Sequence, residues 1–243
     1  MRYPNATRGV RLLLISHGLQ LALALFQTLL ALVFPVISYQ YALSPVFGWI
    51  NRALALGALV LMLLGILLAR RDEEAFRPAL VPVCVLLGGV FVFNILPSFW
   101  SSAFSSGVLM WGFYAYLFLS TLLYLWVWLS MTDGVIALAR DCRKGGLARY
   151  GKLLLWLIPI SCIPALAQEG LVILNLTGAK FYQNNWEVLS QLGIVLNYIA
   201  MGFGQGRLVL LLILLIWTLV MLKRVRAAEA NPEGAIISHY NGT

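Results

Sequence analysis

The run Leu208-Val-Leu-Leu-Leu-Ile-Leu-Leu-Ile-Trp-Thr-Leu-Val-Met-Leu222 ends on Lys223-Arg-Val-Arg226. Fifteen residues without a charge are followed by three cations in four positions. A helix that is apolar on every face has no side to give to water, so its surround is lipid or a very large core. The basic stop adds an orientation, because Lys and Arg gather on the cytoplasmic side of membrane segments.

The rest of the chain repeats this pattern. Its 243 residues are 61% apolar and 11% charged, against about 25% charged in an ordinary soluble domain. A chain of this length keeps much of its surface exposed and cannot hide the deficit in a core. The predicted class is all-α, a polytopic transmembrane helical bundle of six spans plus an amphipathic or partly inserted outer segment. The spans are placed at 12–36, 53–69, 79–99, 108–131, 153–176 and 208–222, inside a membrane domain of residues 1–226. Helices are expected because backbone groups find no water to bond in lipid. Residues 227–243, polar and containing Pro232 and Gly234, are expected to form a flexible cytoplasmic tail.

The weaker segment Trp186–Phe203, with Glu187, Gln191 and Asn197, is either that outer segment or a seventh span. With six spans and the N-terminus inside, fourteen of the seventeen Lys and Arg face the cytoplasm, and only Arg52, Lys180 and Arg207 lie outside. A seventh span keeps only twelve inside. The charge bias therefore favours six, with both termini cytoplasmic, and Gly202-Phe-Gly-Gln-Gly206 is read as a hinge into the last span. The basic N-terminus resembles the start of a signal peptide, but its apolar run continues to Ile37 and is interrupted by His17 and Gln20. It is read as a retained anchor. Cys84, Cys142 and Cys162 show no metal or disulfide spacing.

Polar residues inside the spans are the candidate site. Ser16, His17, Gln20, Gln27 and Thr28 fall within about 120° of one face of the first span. That face is expected to meet other helices, with Asn94, Ser120, Thr121 and Gln168 as partners. An interhelical clasp is the preferred reading, and a polar path for a solute is the competing one. His17, about two turns from the cytoplasmic edge, is expected to reach water. Glu169 falls in the outer third of the fifth span. An outer-rim ion pair with Arg52, Lys180 or Arg207 is preferred there over a proton- or cation-binding carboxylate. Pro159 and Pro164 are expected to loosen that helix. Asp133 is read as the cap of a short helix Val135–Arg140.

No phosphate-binding glycine loop, no HExxH, no GxSxG and no paired carboxylates within a span occur. A catalytic role, a metal and a cofactor are therefore not expected. The basic loops 70–77 and 140–152 lack interleaved aromatics, which turns the expectation from nucleic acid to anionic lipid headgroups.

The opening Asn5-Ala-Thr-Arg-Gly-Val-Arg11, the stretch Gly134-Val-Ile-Ala-Leu-Ala-Arg-Asp141 and Gly151-Lys-Leu-Leu-Leu155 resemble a family of uncharacterised bacterial multi-pass proteins with about six spans. The resemblance implies a bacterial cytoplasmic membrane and assigns no activity or site residue. Two functions are carried forward. One is a non-enzymatic subunit or interaction protein, with a protein partner or a second copy of the chain. The other is a small-solute or ion transporter or channel using the first-span face and Glu169.

Overall fold

A computed structural model describes residues 3–33, 45–95, 107–178 and 183–230. It is 94% helical. Among the described residues there are six helices, in chain order α1 Pro4–Val33, α2 Pro45–Ala69, α3 Leu80–Val90, α4 Gly107–Asp141, α5 Gly145–Leu176 and α6 Trp186–Ala230. A short 3-10 segment, Glu74–Ala79, leads into α3, which continues as a π-helical turn through Phe91–Ile95. Among the described residues six helices are long and apolar enough to cross a membrane, and the chain is a multi-pass membrane protein in that sense.

The helices pack in chain order into a ring: α1 on α2, α2 on α3, α3 on α4, α4 on α5, α5 on α6, and α6 back against α1. Across the ring α4 and α6 scarcely touch. The ring is filled solid toward the end that carries the basic turns. There Ala6 and Val10 of α1, Phe76 of the 3-10 segment, and Met131, Val135 and Ala139 of α4 are fully buried.

Small residues make this end tight. A Cβ added at Gly9 would stand 2.5 Å from the Gly65 carbonyl oxygen, so α1 and α2 touch backbone to backbone. Gly134 receives the Phe76 ring and Gly151 receives Ile136 in the same way. Asp72, in the turn after α2, ties that turn to the start of α1. Its carboxylate accepts from Asn5 Nδ2 at 3.0 Å and from the Ala6 backbone N–H at 2.7 Å. The second bond satisfies one of the free N–H groups of the helix start and places a negative charge at its positive end. After α4, Lys144 N–H reaches back to the Ala139 carbonyl at 2.8 Å and Arg143 takes a left-handed conformation, which stops the helix before α5.

Several expectations are corrected. The helices at the basic end begin or end well beyond the apolar runs, α1 at Pro4 and α4 at Asp141. Asp133 is therefore an exposed residue inside α4 and caps nothing. The helix α6 has 45 residues, about 67 Å of rise. The amphipathic segment 186–203, the glycine hinge and the span 208–222 are one uninterrupted helix. It continues to Ala230, so the tail expected from residue 227 starts as helix, and 231–243 lie outside the described residues. The helix α5 runs unbroken through Pro159 and Pro164.

Candidate functional site

Above the packed end, the space between α1, α4 and α6 opens into a cleft of about 300 Å³. Its polar wall is Gln20, Gln27 and Thr28 of α1 with Gln205 and Arg207 of α6, and its aromatic wall is Tyr124 and Trp128 of α4. Gln20 and Gln27 are seven residues apart and Tyr124 and Trp128 four, so each pair shares a helix face by simple periodicity. The gap exists because α4 and α6 stand apart across the ring.

Arg207 organises the cleft. Its guanidinium lies over the Trp128 ring, 3.9 Å from the centroid, and Trp128 stacks on Tyr124 with centroids 5.3 Å apart. Cation–π contact of this kind is worth about 2 kcal/mol when desolvated. Nη1 donates to Ser161 Oγ at 3.1 Å and to Cys162 Sγ at 2.9 Å, both on α5. The Ser161 hydroxyl in turn donates to the Ile158 carbonyl at 2.6 Å, which turns its lone pairs toward the arginine. Arg207 Nε, Gln20 Nε2 and Trp128 Nε1 are buried without a partner. All three are donors in the inventory of side-chain groups, and buried donors of this kind are seldom left unmet.

The first-span face is part clasp and part cleft. Ser16 Oγ donates to the Ala58 carbonyl of α2 at 2.7 Å, and Gln27 Nε2 to Asn51 Oδ1 of α2 at 3.1 Å. Thr28 accepts from Gln205 Nε2 at 2.5 Å. The partners seen are thus Ala58, Asn51 and Gln205 rather than Ser120, Thr121 or Gln168. Ser120 bonds within its own helix to Leu117, Thr121 bonds Glu169, and Gln168 lines a separate groove with Asn175, Ser190 and Asn197. The Asn94 side chain lies outside the described residues. His17 is fully buried, against the expectation that water reaches it. Its Nδ1 sits 2.8 Å from the Leu13 carbonyl, and Nε2 has no partner. The residues of α1 that precede Arg11 are helical and packed, so His17 lies deeper than its distance from the charges implied.

Glu169 accepts from Thr121 Oγ1 at 2.8 Å, and its other oxygen is buried without a partner. Glu169 and Arg207 do not form the expected rim pair, because the guanidinium is turned to Ser161, Cys162 and Trp128. Arg52 lies 5.8 Å from the Trp49 ring centroid, and Lys180 is outside the described residues. Cys84 and Cys162 are free thiols. Among the described residues no group of three His, Cys, Asp or Glu is placed to hold a metal.

Sequence reasoning found Gln20 and Gln27 and missed Tyr124, Trp128 and Gln205 as cleft residues and Ser161 and Cys162 as partners of Arg207. It put Arg207 at a rim because the glycines before it looked like a helix end. Joining 186–203 to 208–222 as one helix is the signal that would have moved it inward.

No known protein-family model, no curated protein and no solved structure matches this chain. The site therefore rests on its own geometry.

Proposed function

We propose that this is a protein of a bacterial cytoplasmic membrane, with both ends of the described chain cytoplasmic, that binds an anionic group in the Arg207 cleft and passes it through the bilayer. The orientation is supported by the basic turns 70–77 and 140–152 and by Lys223–Arg226, which all lie at one end of the ring. In that frame Arg207 is sixteen residues, about 24 Å, from Lys223. Its partner Ser161 is nine residues, about 14 Å, from Lys152. The first estimate puts the guanidinium in the outer third of a hydrocarbon layer about 30 Å thick and the second nearer its middle; both put it within the layer.

The carrying observation is a largely buried arginine inside that layer with no carboxylate beside it among the described residues. A cation there is costly by several kcal/mol, and a fold selected for stability alone has no use for it. The unmet groups in the cleft lining, on Gln20, Trp128 and Arg207 itself, are donors, and the unmet Glu169 oxygen is not part of that lining. Donors grouped about a guanidinium suit a group that only accepts, such as a phosphate or a carboxylate. The reading carries no catalytic step. It keeps the solute path on the first-span face and moves its centre from Glu169 to Arg207.

At the basic end, Arg143, Lys144 and Arg224 surround a hollow of about 650 Å³ with Trp217 on its wall, and Arg70, Arg71 and Arg77, the last paired with Glu74 at 3.2 Å, surround one of about 380 Å³. These are proposed contacts for anionic headgroups, with indole at the interface, and not for nucleic acid.

The test is purification of the wild type and Arg207→Gln from cell membranes in mild detergent, followed by native mass spectrometry. An anion bound to the wild type and lost from the variant is the expected result. A stoichiometric second protein, present in both, would instead favour the subunit reading, and a bound cation would overturn the proposal.

A further inference from the structure

The three glycines before Arg207 shape hollows on two sides of α6. Gly202 and Gly206 are one turn apart and share a face. That face looks onto α5, where with Leu154, Leu157, Ile158 and Phe203 it forms an apolar groove of about 470 Å³. Gly204 points the other way and lines the polar cleft. A Cβ at Gly202 or Gly206 would meet nothing within 4 Å. Glycine in a membrane helix usually marks close helix approach, as Gly9 and Gly65 do here. At 202 and 206 no neighbour approaches, so these glycines leave volume open instead of making contact. Arg207 lines both the groove and the cleft, and so stands where an apolar channel meets a polar one.

We infer that the anionic group held at Arg207 is the head of an acidic phospholipid, with one hydrocarbon chain lying in the α5–α6 groove. This rests on the Arg207 reading given above and names its ligand. Charge complementarity selects the head, because a phosphodiester accepts the guanidinium fork and brings the negative charge that the cleft lacks. The groove is open on the outer surface of the bundle, where Ile160, Tyr198, Ile199 and Phe203 are exposed. A chain enters it from the surrounding lipid without crossing water. Lipid chains and groove walls are equally apolar, so the chain contributes little discrimination and the head must supply the selectivity. A lipid bound this way has its head within the hydrocarbon layer, below the headgroup level of either surface. The site is then a station on the route of a headgroup between leaflets, with its chain remaining in the hydrocarbon.

The test uses the full chain purified in detergent and mixed with equal amounts of phosphatidylglycerol and phosphatidylcholine, or with glycerol 3-phosphate as the head alone. Native mass spectrometry reads what is retained by the wild type, Arg207→Gln and Gly206→Leu. The expected result is one phosphatidylglycerol held by the wild type at least tenfold over phosphatidylcholine and lost about tenfold in both variants, with glycerol 3-phosphate not retained. Headgroup sites at the basic end are present in all three proteins, so the loss on substitution is the quantity that counts. Where Gly206→Leu does not fold, the pair Gly202→Ala with Gly206→Ala fills the same volume with two methyl groups. Undiminished phosphatidylglycerol in the groove variant overturns the inference. Retention of glycerol 3-phosphate, lost only in Arg207→Gln, also overturns it while leaving the anion site in place. Indifference of every anion to Arg207→Gln removes both readings.

Discussion

The two ends of the ring use the same residue types to opposite purposes. At the basic end, glycines at 9, 65, 134 and 151 are filled against by a carbonyl, a leucine, a phenylalanine and an isoleucine, and the Asp72 carboxylate is satisfied by donors from α1. In the cleft half, Gly202 and Gly206 face open space, and Arg207, Gln20, Trp128 and Glu169 each keep an atom without a partner. One half has spent its small residues on contact and its charges on capping. The other holds open glycine faces and most of the unmet hydrogen-bonding capacity, Thr132 Oγ1 being the exception at the basic end. Stability and function are expected to separate along that line.

The sharpest way to break the comparison is to add one methyl group at each end. Gly9→Ala places a carbon 2.5 Å from the Gly65 carbonyl and 2.7 Å from the Ala69 nitrogen. Both are backbone atoms that cannot turn aside. The expected cost is about 3 kcal/mol, the upper range for overpacking, read as a large fall in the thermal midpoint in detergent or as loss of folded protein. A midpoint within a degree of wild type would mean that the helices at the basic end are not in contact as described.

Next in size is the tether. Asp72→Ala removes two bonds to a carboxylate, and hydrogen bonds to charged groups contribute about 1.5–3 kcal/mol each. Partial exposure lowers that figure, and a net loss of about 2 kcal/mol is expected. Asp72→Asn should recover part of it, because an amide oxygen still accepts from Ala6 N–H. Equal losses for the two substitutions would show that charge at the helix start, and not the bond, carries the effect. The sign reverses in the cleft half. Gly206→Ala gains about 0.5–1 kcal/mol from helix propensity with nothing to clash against. It should raise the midpoint while weakening ligand retention. A destabilised Gly206→Ala would mean that the groove is a tight helix contact.

How legible each half was follows from the same physics. The apolar runs gave six helices and their order, because lipid imposes a length and a composition that hydropathy reads directly. They did not give the packed extensions 4–11 and 132–141. A charged residue on the outer face of a helix lowers the apolar average without ending the helix, so Arg8, Arg11 and Asp133 hid residues that are fully buried beside them. Gln20 and Gln27 were found from periodicity within one helix. Arg207, Trp128 and Ser161 come from three helices, and no spacing along the chain announces their meeting. The glycines at 202–206 were misread for a related reason. Glycine signals permissive backbone in the sequence, and only the neighbours tell whether that permission is used for a turn, for contact or for empty space.

The smallest expected effect concerns the pair that the sequence joined and the structure separates. Were Glu169 and Arg207 an ion pair removed from water, neutralising either would strand the other, and the stability loss for each single change would be about 3–5 kcal/mol. The double change would cost no more than either single one. The arrangement described here gives a different cycle. Glu169→Gln keeps an oxygen for the Thr121 hydroxyl, and Arg207→Gln keeps a donor for Ser161. The two sites share no hydrogen-bond partner, so the two changes should add to within about 0.5 kcal/mol. Thermal or denaturant unfolding of wild type, both single variants and the double variant measures this coupling. A coupling of several kcal/mol would restore the rim pair, supply Arg207 with its missing counter-charge, and take away the reason to seek an anion in the cleft. A coupling near zero leaves that charge uncompensated by the protein, which is the condition under which a ligand has to bring its own.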